Sequence, residues 1–249
     1  MSEKAVIIVS GGMDSVTLLY DVSRQKGLET YALSFNYKQR HKQELKCAKA
    51  VCRALSVPHK TVCLKSLNEI LGGSALTDPN IDVPEGHYAA ENMKLTVVPN
   101  RNMIMMSIAV GYAISIKADT VYYGAHGGDH DIYPDCRPSF LGALQIAVDF
   151  CDWYKVNLQA PYLDKDKGDI VKIGLSLGVN YKKTWTCYKG GEKACGKCGS
   201  CVERILAFYK VGIADPIDYV EGWNVVLANA QIISNSVNKE GGYGNERIN

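Results

Sequence analysis

The apolar run Ala5-Val6-Ile7-Ile8-Val9 passes directly into Ser10-Gly11-Gly12-Met13-Asp14-Ser15 and then into the helix-like stretch Val16 to Val22. A continuous apolar strand followed by a glycine-bearing turn and a helix leaves few folding options. The strand belongs inside a sheet, and the helix must cover one face of it. The alternation continues along the chain. Strands are expected at 5–9, 29–35, 61–64, 120–123 and 157–160, and helices at 15–25, 40–55, 100–116, 139–150 and 166–177. In the second helix Leu45, Ala48, Cys52 and Leu55 recur at steps of three and four, which is one helix face. The stretch Asn100 to Ile116 is apolar nearly throughout and is expected to be buried. The pattern predicts an α/β fold, a doubly wound and mostly parallel sheet with helices on both faces. Ligands in such folds bind at the carboxyl ends of the strands.

The turn after the first strand has the chemistry of an anion site. Gly11 and Gly12 let the backbone approach an anion without a Cβ in the way, and the helix N-terminus favours negative charge. Ser10 and Ser15 add hydroxyls. Asp14 suits a cap or a ligand for Mg²⁺ travelling with phosphates. The same residues also serve an ordinary tight turn. No Gly-Lys-Ser/Thr follows, so the turn is not a Walker loop, and the G-x-G-x-x-G dinucleotide spacing is missing.

With 249 residues, 47% hydrophobic, 22% charged and a net charge of +2, the chain reads as one globular domain with no demand for a nucleic-acid partner. The domain is expected over 1–220, with a C-terminal tail at 221–249 that is partly frayed, chiefly from Asn235 onward. No run reaches the ~20 apolar residues of a membrane span. The first residues enter a strand pattern at once, so a secretion leader is not expected and a cytoplasmic setting is. The basic cluster Lys38 to Lys42 reads as a solvated helix start, with Arg40 and His41 as weaker site candidates. Residues 72–99 are polar, contain Pro79, Pro84 and Pro99, and show little periodicity; they are expected to form a lid.

Four of the nine cysteines, Cys187, Cys195, Cys198 and Cys201, form C-x7-C-x2-C-x2-C. Two short steps sharing a cysteine let three thiolates converge, and the fourth arrives across a glycine-bearing loop. Four thiolates with no vacant position describe a closed, structural Zn²⁺ site, with an iron–sulfur cluster as the alternative. Cys47, Cys52, Cys63 and Cys151 fall in apolar patterns and read as packing residues.

The loop Ser10 to Ser15 resembles the S-G-G-x-D-S pyrophosphate loop of the N-type ATP pyrophosphatases. Further segments resemble one branch of that superfamily: Phe35 to His41, Val98-Pro99-Asn100-Arg101-Asn102, Gly124-Ala125-His126, Tyr133-Pro134-Asp135-Cys136-Arg137 and Thr186-Cys187-Tyr188. With the four cysteines, they resemble the QueC-type 7-cyano-7-deazaguanine synthase family over residues 1 to about 216. The resemblance implies a ligase that takes 7-carboxy-7-deazaguanine, ammonia and ATP with Mg²⁺. It adenylates the carboxylate, forms an amide, activates the amide with a second ATP and releases the nitrile. It also implies a homodimer and no direct nucleic-acid contact. A carboxylate suits the N–H edge of a deazaguanine, with Asp135 as candidate and Asp129 and Asp131 as rivals. Arg101 and Arg137 are candidates for the substrate carboxylate and the phosphates, beside Asp14 and Ser15 of the loop. The chain departs from the family pattern at Asn36 (usually Asp) and at Lys38 and Asn100 (usually Gly). It also has Asp131-Ile132 where Ser-Gly is common. Those departures keep open an amide-forming ligase that stops before the nitrile. A zinc-stabilised RNA-binding protein without catalysis is the alternative of another class.

Overall fold

The computed structural model describes residues 3–240. Five strands, β1 (Glu3–Ile8), β2 (Leu28–Asn36), β3 (His59–Cys63), β4 (Thr120–Tyr122) and β5 (Asn157–Gln159), form one sheet. Its order is β3-β2-β1-β4-β5 and every neighbouring pair is parallel. The helices are α1 (Met13–Ser23), α2 (Gln43–Ala54), α3 (Arg101–Ile116), α4 (Pro138–Asp149), α5 (Lys167–Ser176), α6 (Gly199–Lys210) and α7 (Trp223–Glu240).

The period-two pattern of β1 decides which helix covers which face. Ala5, Ile7 and Val9 pack with α1, α2 and α5, while Val6 and Ile8 pack with α3 and α4. Helices thus cover both faces, as the alternation predicts. The strand order reverses direction between β1 and β4. That switch point opens a crevice beyond their carboxyl ends.

Two segments differ from the sequence expectation. Residues 72–99 are not a detached lid. Ala75, Leu76, Val83, Met93 and Val98 are buried, and Glu91–Thr96 is a 3₁₀ turn. The segment is tied at Arg40 N to Leu76 O (3.0 Å) and at Gly86 N to Lys197 O (3.1 Å), so it straps the cysteine element to the sheet. The stretch expected to fray from Asn235 is helical as far as Glu240, and its remainder, 241–249, lies outside the described residues. Within α7, Val226 and Ala230 are buried in a third apolar cluster with α6.

Lys38 and Asn100 stand where the family pattern has glycine, and both adopt the left-handed backbone, at φ 62° and 56°. Each therefore keeps the turn geometry and carries a Cβ in a region where L-residues are strained. The Asn36 side chain holds the first turn by accepting from Lys38 N at 3.3 Å.

Candidate active site

The turn after β1 is closed by its own hydroxyls. Ser15 Oγ accepts from Ser10 N (3.2 Å) and Gly11 N (3.3 Å) and donates to Gly12 O (3.1 Å). Gly11 has φ +100°, and a Cβ there would lie 2.0 Å from the Glu44 carbonyl oxygen, so the position admits only glycine. Beyond β4, a Cβ on Gly124 would lie 3.3 Å from Ser15 N, which shows how closely the two strand ends meet. Helix α1 starts with no side-chain cap. Gly12 N donates to Ser10 Oγ (3.1 Å) and Val16 N to Gly12 O (3.0 Å), which leaves the N–H groups of Met13, Asp14 and Ser15 without an intrahelical or side-chain acceptor, the arrangement that receives phosphates.

This turn forms the floor of a cavity at the switch point. The walls come from Phe35 of β2 and Tyr37 just after it, Arg101 and Met105 on α3, Asp129 and Tyr133 after β4, Tyr88 of the strap, Lys167 on α5, and Thr186, Tyr188 and Ser200 of the cysteine element. Lys167 is buried and lies 2.7 Å from Glu203 Oε2 and 3.3 Å from Asp14 Oδ2. Burial opposes its charge, but Asp14, Glu203 and Asp129 outweigh burial, so its ammonium group is held protonated above its usual range. Asp14 Oδ1 is buried with no hydrogen-bond partner. Burial likewise opposes the Arg101 charge, and the oxygens of Tyr37, Tyr133 and Asp135 more than compensate. Its guanidinium faces the Tyr133 ring at 6.0 Å.

Asp129 accepts from Tyr88 Oη (2.9 Å) and from His126 N (3.2 Å). Burial alone would raise its pKa; His126, Lys167 and the Tyr88 hydroxyl hold it below the usual carboxylate value. At the other end of the cavity, Glu44 and His41 face each other at 3.4 Å. Burial pushes the Glu44 carboxyl up to about 8, against the pull of Arg101 and Lys167 and with the push of Asp14. Burial, reinforced by Arg101, pushes His41 down to about 3. At neutral pH the pair is therefore a protonated carboxyl beside a neutral imidazole, not an ion pair.

The structure brings Ser10, Gly12, Asp14, Ser15 and Arg101 together in the cavity wall, with Gly11 and Met13 buried in the same turn. Asp135, Arg137, Asp131 and Arg40 do not line it. Asp135 Oδ2 accepts from Asn102 N at 3.2 Å, at the N-terminus of α3, where a carboxylate complements the helix dipole. Arg137 is exposed and donates from Nε to His130 O (2.8 Å). Arg40 donates to the carbonyls of Asp78 and Ile81 and so anchors the strap. Among the three carboxylates weighed for the base edge, Asp129 is the one in the wall. Sequence reasoning missed Lys167, Glu44, Glu203, Tyr88 and Tyr123. Lys167 carried one local signal, its place at the start of α5 after the capping aspartate Asp166, which marks a helix end facing the strand termini.

The four sulfurs of Cys187, Cys195, Cys198 and Cys201 lie within 4.8 Å of one another. Backbone N–H groups already point at them: Cys195 N to Cys187 Sγ (3.4 Å), and Lys197 N and Cys198 N to Cys195 Sγ (3.4 and 3.3 Å). Gly196 makes the tight turn at φ +72°. Such an all-thiol, largely buried donor set fits a metal and leaves no position for chemistry. The element is fixed to the domain by Arg204 on α6, which is fully buried. It pairs with Asp215 through Nε (2.6 Å) and Nη2 (2.9 Å), and donates to Thr184 Oγ1, Thr186 Oγ1 and Tyr181 O.

Residues 4–212 match the model of the family described as Queuosine biosynthesis protein QueC. The chain is 55% identical over 219 residues to the 7-cyano-7-deazaguanine synthase of Psychromonas ingrahamii, covering 88% of this chain and 99% of that protein. It is 57% identical over 216 residues to those of Hahella chejuensis and Methanoregula boonei, covering 87% of this chain and 93% and 99% of theirs. The parallel sheet, the cavity at its switch point and the four-cysteine knuckle thus accompany a sequence match over nearly nine-tenths of the chain, and the protein belongs to the QueC family.

Proposed function

We propose that this chain converts 7-carboxy-7-deazaguanine and ammonia to 7-cyano-7-deazaguanine, splitting ATP to AMP and pyrophosphate at each of two activations. The observation that carries the reading is the uncapped start of α1 at the switch point, beside the unpartnered Asp14 Oδ1 and the buried Lys167. The first-turn N–H groups and Lys167 are placed to receive the charge that develops on a leaving pyrophosphate. Asp14 Oδ1 would hold Mg²⁺, which when bound neutralises the phosphates. Ser10 and Ser15 keep the turn in shape through the hydroxyl contacts described above. Arg101 faces the cavity as the cation for the substrate carboxylate. The flat base fits among Tyr37, Tyr88, Tyr133 and Tyr188, with Asp129 as the acceptor for its N–H edge. Asp135 supports this wall from behind by fixing the start of α3, and Arg137 by holding His130.

An adenylate is destroyed by water. The strap at 72–99, already packed and carrying Tyr88 into the cavity, excludes it from one side. Asp131 is exposed and Ile132 packs in the apolar cluster under α3 and α4. Neither lines the cavity, so the departure at these positions leaves the pocket wall as it is and supports a reaction carried through to the nitrile. The cysteine element holds Zn²⁺ in a structural role. No helix among the described residues is long and apolar enough to cross a membrane. With free cysteines throughout, this supports a cytoplasmic enzyme. A homodimer is supported by the exposed apolar side chains Ile146, Phe150 and Trp153 at the end of α4.

The test is incubation with 7-carboxy-7-deazaguanine, Mg-ATP and an ammonium salt, with products weighed by mass spectrometry. Nitrile with two AMP per product is expected. Amide that accumulates without conversion would move the assignment to an amide-forming ligase, and absence of AMP would overturn it.

A further inference from the structure

Lys167 is shared by two carboxylates, Asp14 on α1 and Glu203 on α6. Its ammonium donates to Glu203 Oε2 at 2.7 Å, lies 3.3 Å from Asp14 Oδ2 and faces the Tyr88 ring at 5.5 Å. Glu203 belongs to none of the motifs described above and does not line the cavity. It is nonetheless fixed in place. Cys201, two residues before it, belongs to the four-thiol cluster, and the next residue, Arg204, is fully buried against Asp215. Its second oxygen, Oε1, packs against Gly128, where a Cβ would meet it at 2.7 Å. His126 Nδ1 accepts from Gly128 N at 3.1 Å, so the ring carries its proton on Nε2. That nitrogen lies 3.9 Å from Glu203 Oε1 and 3.5 Å from Asp129 Oδ1. Among the described residues, Asp14 and Glu203 are the carboxylates within 4 Å of the Lys167 ammonium. A buried ammonium must keep an anion beside it. Without Glu203 that anion would be Asp14, the carboxylate that the proposed reading gives to Mg²⁺.

We propose that Glu203 is a positioning residue for ATP cleavage: it holds the Lys167 ammonium off Asp14 and thereby leaves Asp14 to the divalent cation that accompanies ATP. The inference rests on the reading that ATP and its metal occupy this end of the cavity. The distances set the order of the two contacts. The shorter, a charge-assisted hydrogen bond, goes to the carboxylate outside the cavity wall, and the longer to the carboxylate within it. Asp14 Oδ1 is left without a protein partner, and carboxylate oxygens of this kind hold a hard cation. An ammonium closed fully onto Asp14 would cancel the charge that attracts the metal, because the attraction between unit charges grows as they approach. Glu203 also ties the cysteine element to the reaction. Helix α6 starts at Gly199, directly after Cys198, so the knuckle sets where Glu203 meets Lys167 on α5.

The test compares the wild type with Glu203→Gln, which keeps the shape and removes the charge. Affinity for Mn²⁺ in the presence of α,β-methylene-ATP, which cannot be cleaved between those phosphates, is read by electron paramagnetic resonance and needs no turnover. Glu203→Gln is expected to bind Mn²⁺ at least about tenfold more weakly, the usual scale for a group that acts on a metal through its ligand. In pyrophosphate exchange the same variant should need correspondingly more Mg²⁺ for half-maximal rate, with KM for 7-carboxy-7-deazaguanine unchanged. The double variant Lys167→Met with Glu203→Gln removes the ammonium that would close on Asp14 and should regain the Mn²⁺ affinity of the wild type. A merely structural Glu203 would leave the double variant as weak as the single one, and that result would overturn the proposal, as would wild-type affinity in Glu203→Gln. Glu203→Asp, which keeps the charge beside Lys167, is expected to bind Mn²⁺ better than Glu203→Gln; equal weakness counts against the account. Absence of Mn²⁺ and nucleotide binding in the wild type would instead overturn the reading of the ATP site itself.

Discussion

Two sets of buried charges lie on either side of Tyr181 to Ser200, and they are built in opposite ways. Around Arg204 all five guanidinium donors are used, two on Asp215 and three on Thr184, Thr186 and Tyr181, while Tyr219 Oη donates to the Asp215 carboxylate at 2.6 Å. Around Lys167 and Glu44 the accounts are left open. Five buried side-chain atoms among the described residues have no partner, and three of them, Asp14 Oδ1, His41 Nδ1 and Tyr123 Oη, belong to the cavity wall. A satisfied network holds an architecture together, whereas unsatisfied polar atoms in a cavity are kept for a ligand. The same difference separates the residues that stability assays should detect from those that only turnover should detect.

The largest expected effect falls on the closed side. Removing the metal from the four cysteines with a chelator should lower the unfolding midpoint more than any single side-chain change, because the metal's binding energy adds to the stability of the knuckle. Metal content and thermal unfolding check this; a midpoint unmoved by demetallation would mean that the knuckle holds itself. Next, Arg204→Met leaves the Asp215 carboxylate buried without its cation and should destabilise the fold by about 3–5 kcal/mol in urea titration. A loss under about 1 kcal/mol would show that water reaches Asp215 and that the pair is not the tie it looks to be.

A smaller effect belongs to pH. The Glu44 carboxyl is raised from 4.5 to about 8, so the folded state binds more protons than the unfolded chain across that window. Its contribution to stability is complete below 4.5 and is lost as pH rises toward 8. His41, lowered from 6.5 to about 3, works the other way, adding stability as pH rises from 3 to 6.5. The two oppose each other between 4.5 and 6.5, and Glu44 acts without His41 from 6.5 to 8. Denaturation across that upper window should show the wild type losing stability relative to Glu44→Gln; parallel curves would contradict the assigned burial. The smallest effect concerns the open side's turns. Lys38→Gly relieves a left-handed residue at φ 62° and should stabilise by at most about 1 kcal/mol. A destabilised variant would point to a contact of the lysine side chain that offsets its backbone strain.

The same contrast explains what could be read from the chain before its fold was in hand. The turn at Ser10 to Ser15 and the cysteine knuckle are local, so spacing alone displayed the four-thiol donor set, whereas the turn stayed open between an anion site and an ordinary tight turn until the family resemblance was added. The strand and helix alternation placed β1 through β5 to within a few residues, because buried strands and amphipathic helices have different periods. Lys167, Glu44 and Tyr88 reach the cavity from three segments far apart in sequence, and no period marks a lone residue that faces a crevice. The strap escaped for a related reason: Ala75, Leu76, Val83 and Met93 are buried at irregular intervals, so its apolar content carried no pattern. By sequence, Asp135 ranks ahead of Asp129 for its place in Tyr133-Pro134-Asp135-Cys136-Arg137. Only the fold shows one turned to a helix N-terminus and the other to the cavity.

The most direct measurement of the contrast is pyrophosphate exchange into ATP, driven by 7-carboxy-7-deazaguanine, in Asp14→Asn. That change removes the charge of a carboxylate whose Oδ1 has no protein partner. Exchange should fall by at least about a thousandfold, or about 4 kcal/mol in transition-state stabilisation, while the urea midpoint falls far less than in Arg204→Met, because Glu203 still pairs with Lys167 at 2.7 Å. Exchange at the wild-type rate, or a loss of stability on the scale expected for Arg204→Met, would contradict the division between an open site and a closed support.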